Sequence, residues 1–286
     1  MKKIKILLVV ALTIILVVPI NLFAQEEEKD MRPVRDPFNG SLLLDQQTIV
    51  GPREKGMEFI IHHRFGTMQN GLSDLFGIYA PSNIRLGLDY GVTEKLMVGF
   101  GTEKNSKLQE FHAKYSILQQ TRGGSIPVGI SYYVNMAVDV RNSEVFGENY
   151  AFTNRFSYFH QIIIARKFSN KLSVQISPEY SHFNAVDSIW QNDHFGVGVA
   201  GRYKLFGDFS VIAEYDQPIP LSMVRYYQKF PKPNMALGIE IGTGTHCFHL
   251  FVANFDKITP QKNLAYNLND FAKGEFLVGM NVIVRF

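Results

Sequence analysis

The last twelve residues of the chain, Glu275 to Phe286, alternate between apolar residues and small or polar ones. The apolar set is Phe276, Val278, Met280, Val282, Val284 and Phe286. The residues between them are Leu277, Gly279, Asn281, Ile283 and Arg285. Because successive side chains of a strand point to opposite faces, the segment predicts a strand with one apolar face and one mostly small or polar face. This period does not distinguish a half-buried strand of a soluble β-protein from a strand that faces lipid.

The predicted last strand closes on an aromatic residue, Phe286. An amphipathic strand with this ending resembles the C-terminal signal of outer-membrane β-barrels. The resemblance implies that outer-membrane lipid surrounds the protein and that the barrel-assembly machinery recognises Phe286 and the last strand. In that orientation Val282→Arg is expected to cost about 2–4 kcal/mol near the membrane midplane, and Asn281→Arg, on the lumen face, is expected to be milder.

The first 24 residues have the order of a secretory signal peptide. A start with three lysines precedes an apolar run from Ile6 to Ile20, and a small-residue exit ends at Ala24. We expect cleavage after Ala24 and export from the cytoplasm. The alternative is a retained membrane helix, but the apolar run is short for a span and contains Pro19. The predicted organisation is a signal peptide (1–24), an irregular periplasmic lead-in (25–56) and an outer-membrane β-barrel (57–286).

The charge balance gives no reason to expect a nucleic-acid partner. The chain has 29 Lys and Arg against 26 Asp and Glu, and the signal peptide accounts for three of the lysines. The exported part is therefore neutral and lacks the basic excess that nucleic acid attracts. A single cysteine, Cys247, excludes an intramolecular disulfide. The 23 Phe and 13 Tyr occur without a second long apolar run, as in a barrel that distributes its hydrophobicity by alternation.

Twelve segments of the predicted barrel have strand character. They are residues 57–66, 83–92, 96–103, 108–118, 127–140, 155–168, 172–183, 194–205, 209–216, 234–242, 246–255 and 275–286. The connections after the second, sixth, eighth and tenth segments are tight. Those after the first, fifth, seventh, ninth and eleventh are longer, at residues 67–82, 141–154, 184–193, 217–233 and 256–274. Short periplasmic turns, long outer loops and an even strand count are typical of bacterial outer-membrane barrels. The sequence therefore predicts an all-β, transmembrane antiparallel barrel of about twelve strands.

Two stretches near the start of the predicted barrel carry a family resemblance. Residues 58–66 read EFIIHHRFG, and residues 83–101 read NIRLGLDYGVTEKLMVGFG. They resemble an exported β-barrel family of Gram-negative bacteria, known as a domain of unknown function, with HRFG followed by NIRLGLxYG(V/I)T. The resemblance implies a barrel in the outer membrane. It brings no activity, and it assigns no site residue.

The face opposite the apolar one is expected to line a lumen. By strand phase its charged and histidine residues are Glu58, His62, Arg64, Arg85, Asp89, Lys114, Asp139, Glu179, Arg202, Glu214, Glu240 and Arg285. Arg64 and Arg85 lie on neighbouring antiparallel strands, so both should approach the outer end. They either attract an anionic solute or pair with carboxylates such as Asp89, and the balance of charges favours pairing.

The sequence predicts neither a metal site nor a cofactor. His246 and His249 are the closest histidines in the densest cluster, but residues three apart on a strand point to opposite faces. Cys247 between them is interpreted as a small packed residue. The His-x-Ser pair expected of one class of barrel lipases does not occur, nor does a Gly-x-Ser-x-Gly elbow. The protein is therefore not expected to be an enzyme.

Three functions stay open at this point. The first is a narrow porin-like channel for passive transport of small solutes. The second is a sealed barrel that anchors an envelope assembly or binds a partner through its long outer loops. The third is an outer-membrane enzyme that modifies lipid. Closure of the lumen distinguishes the first two, and a Ser–His pair on the lipid-facing wall would support the third.

Overall fold

The computed structural model describes residues 30–220 and 230–286. The predicted signal peptide and the first residues of the lead-in lie outside this range. Twelve strands, β1 to β12, form in the described part of the chain. Their bounds are Met57–Thr67, Asn83–Gly91, Leu96–Glu103, Leu108–Leu118, Gly129–Asp139, Phe156–Lys167, Leu172–Phe183, Asp193–Phe206, Phe209–Ile219, Asn234–Gly242, His246–Ala253 and Leu277–Arg285.

Each strand pairs with its neighbours in sequence, and β1 pairs antiparallel with β12 to close the barrel. The predicted fold is thus confirmed, with strand ends that differ by a few residues. The largest difference is at β9, which continues to Ile219 through Pro218. The pairing of β9 with β10 stops at Asp216, and among the described residues Pro218 has a strand partner only on β8, so a proline is tolerated there.

The outward face of the wall is a belt of large apolar side chains. Its exposed members include Leu86, Leu88, Val98, Phe100, Phe111, Tyr132, Ile162, Leu237, Ile239, Leu250 and Met280. The alternation of β12 follows the predicted phase, with Asn281 buried inside and Met280 exposed outside. A closed wall with an apolar outer belt leaves no unpaired strand edge in lipid. Among residues 30–220 and 230–286, none of the helices has the length and apolar character needed to cross a membrane.

The two ends of the barrel differ in their connections. At one end the strands are joined by tight turns such as 92–95, 168–171 and 207–208. The connections at the other end include 68–82, 140–155 and 254–276. The last of these contains the helix α1, Pro260–Tyr266. We call the tight-turn end periplasmic and the long-loop end outer, following the usual orientation of bacterial barrels.

Two parts of the chain occupy the interior of the barrel. Residues 38–50, which we call the plug segment, lie within the wall, and Leu43 and Leu44 are fully buried. From the outer end, α1 packs against β6, β7, β8 and β9. Of the predicted periplasmic lead-in, residues 38–50 therefore lie inside the lumen.

Candidate functional site in the barrel lumen

All twelve residues predicted to line the lumen lie on the inward face of the wall. Arg202 and Arg285 are partly exposed near the periplasmic end. The other ten are buried: Glu58, His62, Arg64, Arg85, Asp89, Lys114, Asp139, Glu179, Glu214 and Glu240. The strands place these groups together because every second residue points inward.

Most of the charged groups pair with one another within the wall. Arg85 donates from Nε to Glu110 Oε1 at 2.7 Å, and His112 Nε2 lies 2.7 Å from Asp89 Oδ1. Two further pairs are Arg202 with Glu240, at 2.5 Å, and Arg285 with Glu58, at 3.3 Å. Burial of a charge is tolerated where a partner of opposite sign is at hand. The wall therefore satisfies most of its own charges.

Arg64 is held differently from Arg85. Its guanidinium lies 3.4 Å from Asp45 Oδ1 of the plug segment and donates to Asn281 Oδ1 at 2.9 Å. Each of the two arginines thus has its own carboxylate, and neither uses Asp89. Asn281 also donates to the carbonyl of Leu44 at 2.6 Å. The expectation that Asn281→Arg is mild does not fit this arrangement, because a second guanidinium would replace a buried amide beside Arg64.

Two charged residues of the wall bind the backbone of the plug segment. Glu214 accepts hydrogen bonds from the amides of Leu44, Asp45 and Gln46, at 2.7, 2.8 and 3.1 Å. Lys114 Nζ donates to the carbonyls of residues 41, 48 and 50, at 3.3, 2.9 and 2.5 Å. Hydrogen bonds to ionised groups are stronger than neutral ones. The turn of the plug segment is therefore held on opposite sides by a carboxyl group and an ammonium group.

An apolar recess in the wall receives the side chains of the plug segment. Phe38, Leu43 and Leu44 belong to one buried cluster with wall residues of β6 and β8 to β12. These wall residues are Ala165, Ala200, Ile212, Ala236, Phe251, Ala253 and Leu277. The alanines leave room for the two leucines, and burial of a leucine stabilises an interior by about 1.5–3 kcal/mol. The plug segment is thus seated by packing as well as by hydrogen bonds.

The helix α1 closes the lumen above the plug segment. Gln261 donates to Asn135 of the wall at 2.6 Å, and Asn263 donates to Asp45. Desolvation raises the pKa of the Asp45 carboxyl to about 6, although Arg64 opposes the shift. The cavity that remains between plug segment, α1 and wall is about 30 Å³, enough for only one or two waters. In the described part of the chain, the lumen is therefore closed.

A wider vestibule of about 520 Å³ opens among the outer loops. Four cations line it, against the carboxylates of Asp139 and Asp187. The cations are Arg141, Arg155, Lys257 and Lys262. Lys262 Nζ donates to Ser106 Oγ at 2.6 Å, and burial lowers the pKa of its ammonium to about 8. Rings of Phe183, Trp190 and Tyr266 line the same space. The vestibule is therefore a cationic and aromatic surface at the outer mouth.

Sequence reasoning missed two features of the interior. The first is the plug segment, which the apolar run Leu42 to Leu44 between polar residues could have indicated. The second is a cluster of Glu240, Cys247 and His249, whose potential ligand atoms lie within 4.8 Å of one another. His246 and His249 do point to opposite faces, but Cys247 and His249 are two residues apart and share the inward one.

Comparison with solved structures finds similar barrels. The NanC porin superposes with a TM-score of 0.51 at 10% identity, over 80% of this chain and 98% of that chain. The KdgM porin gives a TM-score of 0.47 at 10% identity, over 81% of this chain and 98% of that chain. An outer membrane channel from Pseudomonas putida F1 gives 0.49 at 11% identity, over 82% and 96%. At such identities, the likeness to the NanC porin shows a common fold.

Comparison at the level of sequence gives a family assignment. No curated protein sequence matches the chain significantly. A family profile described as a membrane bound beta barrel domain, DUF5777, matches residues 38–286. The match begins at the first residue of the plug segment and covers the whole barrel. The chain belongs to this family of membrane-bound β-barrel domains.

Proposed function

We propose that the protein is an outer-membrane channel for small polar solutes that its own plug segment closes at rest. Passive transport takes place when residues 38–50 leave the lumen. The vestibule among the outer loops then connects with the periplasmic mouth through the charged interior of the wall. The proposal treats the protein as a channel and not as an enzyme.

The pairing of charges within the wall carries this proposal. Arg85 is paired with Glu110 and Asp89 is paired with His112, both by side chains of the wall, although Asp89 also accepts from Ser41 Oγ of the plug segment at 3.1 Å. When the plug segment leaves, these groups keep their partners and gain water. A wall that depended on the plug for its charge balance would instead be left with unpaired buried charges, at several kcal/mol each. The contacts that have to be given up are those at Glu214, Lys114 and Arg64, together with further hydrogen bonds of the plug segment. The wall residues in these further bonds are Glu58, Asp89, Gln175, Asp216, Glu240 and Asn281.

Bilayer conductance of the purified protein tests the proposal. We expect the wild-type channel to be closed most of the time, with rare openings. Deletion of residues 38–50 should raise the mean current at least about tenfold, the change that 1.4 kcal/mol produces in a two-state equilibrium. Met31→Asp, at an exposed position outside the lumen, is the matched control and should leave the current unchanged.

Folding of each variant has to be established separately. Unboiled barrels with a complete ladder of hydrogen bonds migrate differently from boiled ones in detergent gels. A deletion variant that shows this shift and still carries no current would reject the channel. That result would favour a sealed barrel that serves as an anchor or a loop-borne binding protein. The seating of Leu43 and Leu44 in an apolar recess is the observation that favours this second function.

We also propose the cellular context. The protein is exported with cleavage of residues 1–24, and lipid of the outer membrane surrounds the apolar belt. The barrel-assembly machinery recognises the last strand and Phe286, whose side chain is 72% exposed. The backbone of Phe286 is paired with Met57 at 3.0 and 3.2 Å, which supports a role at the closing seam. Cell fractionation that finds the protein soluble in the periplasm would contradict this context.

A further inference from the structure

Three side chains with metal-binding chemistry meet on the inner wall near its periplasmic end. Cys247 and His249 lie on β11, and Glu240 faces His249 in register on β10. Cys247 Sγ is 3.2 Å from His249 Nε2, and His249 Nε2 is 3.4 Å from Glu240 Oε2. All three residues are at most 1% exposed. Each therefore offers a ligand atom to the same small, dry space.

The two oxygens of Glu240 are held unequally. Oε1 accepts from Arg202 Nε at 2.5 Å and from Asn39 Nδ2 at 3.3 Å. Oε2 is buried, and its contact with His249 Nε2 is long, at 3.4 Å, and lacks the geometry of a hydrogen bond. A buried carboxylate oxygen held only by such a contact gains free energy from a better partner. Because Oε2 points toward Cys247 and His249, a cation between the three would supply that partner.

We propose that Glu240, Cys247 and His249 form a binding site for a divalent transition metal, with zinc as the best fit. One sulfur, one imidazole nitrogen and one carboxylate oxygen are ligands that zinc accepts, and three protein ligands leave a fourth position for water. The thiolate and the carboxylate together supply two negative charges, although Arg202 already offsets part of the charge of Glu240. This site is independent of the proposed channel function.

Arg202 has the place of a supporting group around a metal. It keeps Oε1 of Glu240 in position, so that coordination uses Oε2, and outer groups of this kind orient metal ligands and strengthen binding. Binding releases the thiol proton of Cys247 to solvent. Coordination through Nε2 leaves the imidazole proton of His249 on Nδ1, which faces the donor nitrogen of Asn281 at 3.4 Å, so the Asn281 amide has to shift when the metal binds.

The plug segment covers the site from the lumen side. Asn39 bonds to Glu240, and its amide fills the space above Gly242, where an added Cβ would overlap the Asn39 side chain. A metal reaches the ligands from the periplasmic mouth when this residue moves aside. The site thus lies where the wall, the first part of the plug segment and the periplasm meet.

Cobalt(II) titration of the folded, chelator-treated full chain in detergent tests the proposal. We expect a thiolate-to-cobalt charge-transfer band in the near ultraviolet that saturates at one metal per chain and disappears when zinc is added. Cys247→Ser should abolish the band. His249→Ala should weaken binding by more than the roughly 10–100-fold that loss of an outer group costs.

His246→Ala is the matched control. It changes a histidine next to Cys247 whose side chain lies on the other face of β11, where Nδ1 contacts Thr245 Oγ1 at 2.9 Å. Binding should be unchanged in this variant. The proposal is overturned if the folded wild-type chain shows no thiolate band at stoichiometric cobalt, or if His246→Ala weakens binding as much as His249→Ala. Elemental analysis for zinc in the purified wild-type chain also tests whether the site binds metal, and it needs no variant.

Discussion

The plug segment and α1 fill the same barrel from opposite ends, yet they are held by different forces. The plug segment buries Leu43 and Leu44 in an apolar recess and gives its backbone amides to Glu214. In contrast, α1 uses amide contacts of Gln261 and Asn263 and buries the smaller apolar pair Leu264 and Ala265. The difference indicates that the plug segment holds the lumen closed more firmly than α1 does. We call the plug segment (residues 38–50) the lock and α1 the cover.

Truncation of a buried leucine should separate the lock from the cover most clearly. Leu44→Ala removes packing from the recess and is expected to destabilise the seated plug by about 2–5 kcal/mol. The open fraction should then rise by roughly 30-fold or more. Leu264→Ala on α1 is the matched variant and should change the current much less. Equal effects in single-channel recordings would show that the two elements close the lumen together.

The carboxylate of Glu214 offers the second largest effect. Both oxygens of Glu214 accept from plug amides, and Glu214→Gln replaces one of them with a donor nitrogen. A buried amide left without its acceptor costs about 1–3 kcal/mol. Mean current should rise about tenfold or more. Glu179→Gln is the control, since Glu179 is buried on β7 but bonds to Gln161 of the wall at 3.0 Å. A rise with Glu179→Gln and none with Glu214→Gln would contradict the assignment of the lock.

Asp45 should make the lock sensitive to pH. The pKa of this carboxyl is raised to about 6 in the seated plug from an ordinary value of 3.8, because burial disfavours the charge. The seated state therefore binds a proton that the released state gives up, so its stability from this group is full below about pH 4 and declines as pH rises to about 6. Opening should increase over that range, and Asp45→Asn should flatten the increase. Asp36→Asn, at an exposed position, should leave it intact.

The smallest expected effect concerns the outer vestibule. Burial lowers the pKa of the Lys262 ammonium to about 8, so its charge is present below that pH and is lost above it. In a chain without residues 38–50, preference for anions should fall as pH rises through about 8. Lys262→Gln should remove this dependence, and Lys257→Gln, next to Asp256 at the surface, should preserve it. Reversal potentials under a salt gradient measure the change.

The strands could be predicted because their signal is local. Alternation places Asn281 inside and Met280 outside without reference to any other part of the chain. The interior could not be predicted in the same way. Glu214 meets Leu44 across 170 positions, and which carboxylate Arg64 or Arg85 receives depends on barrel diameter and register. Strand phase gives the direction of each side chain but not the residue that it contacts.

The metal-ligand cluster shows the same limit at short range. Cys247 and His249 could have been recognised as neighbours on one face, since they are two residues apart. Glu240 joins them only through the register of β10 with β11, which the turn between the strands sets. A sequence pattern of paired histidines therefore does not indicate the cluster.

At the seam between β1 and β12, the wall forms a hydrogen bond to the plug segment. Asn281 on β12 bonds to the carbonyl of Leu44, and β12 pairs with β1 to complete the wall. If the pairing of β12 with β1 is the last step of assembly, Asn281 can form its hydrogen bond at that step only when the plug segment is already inside the barrel. A barrel that closed around an empty interior would lose this bond at the step that seals it. The plug segment would then stabilise the closing step of assembly as well as the finished structure.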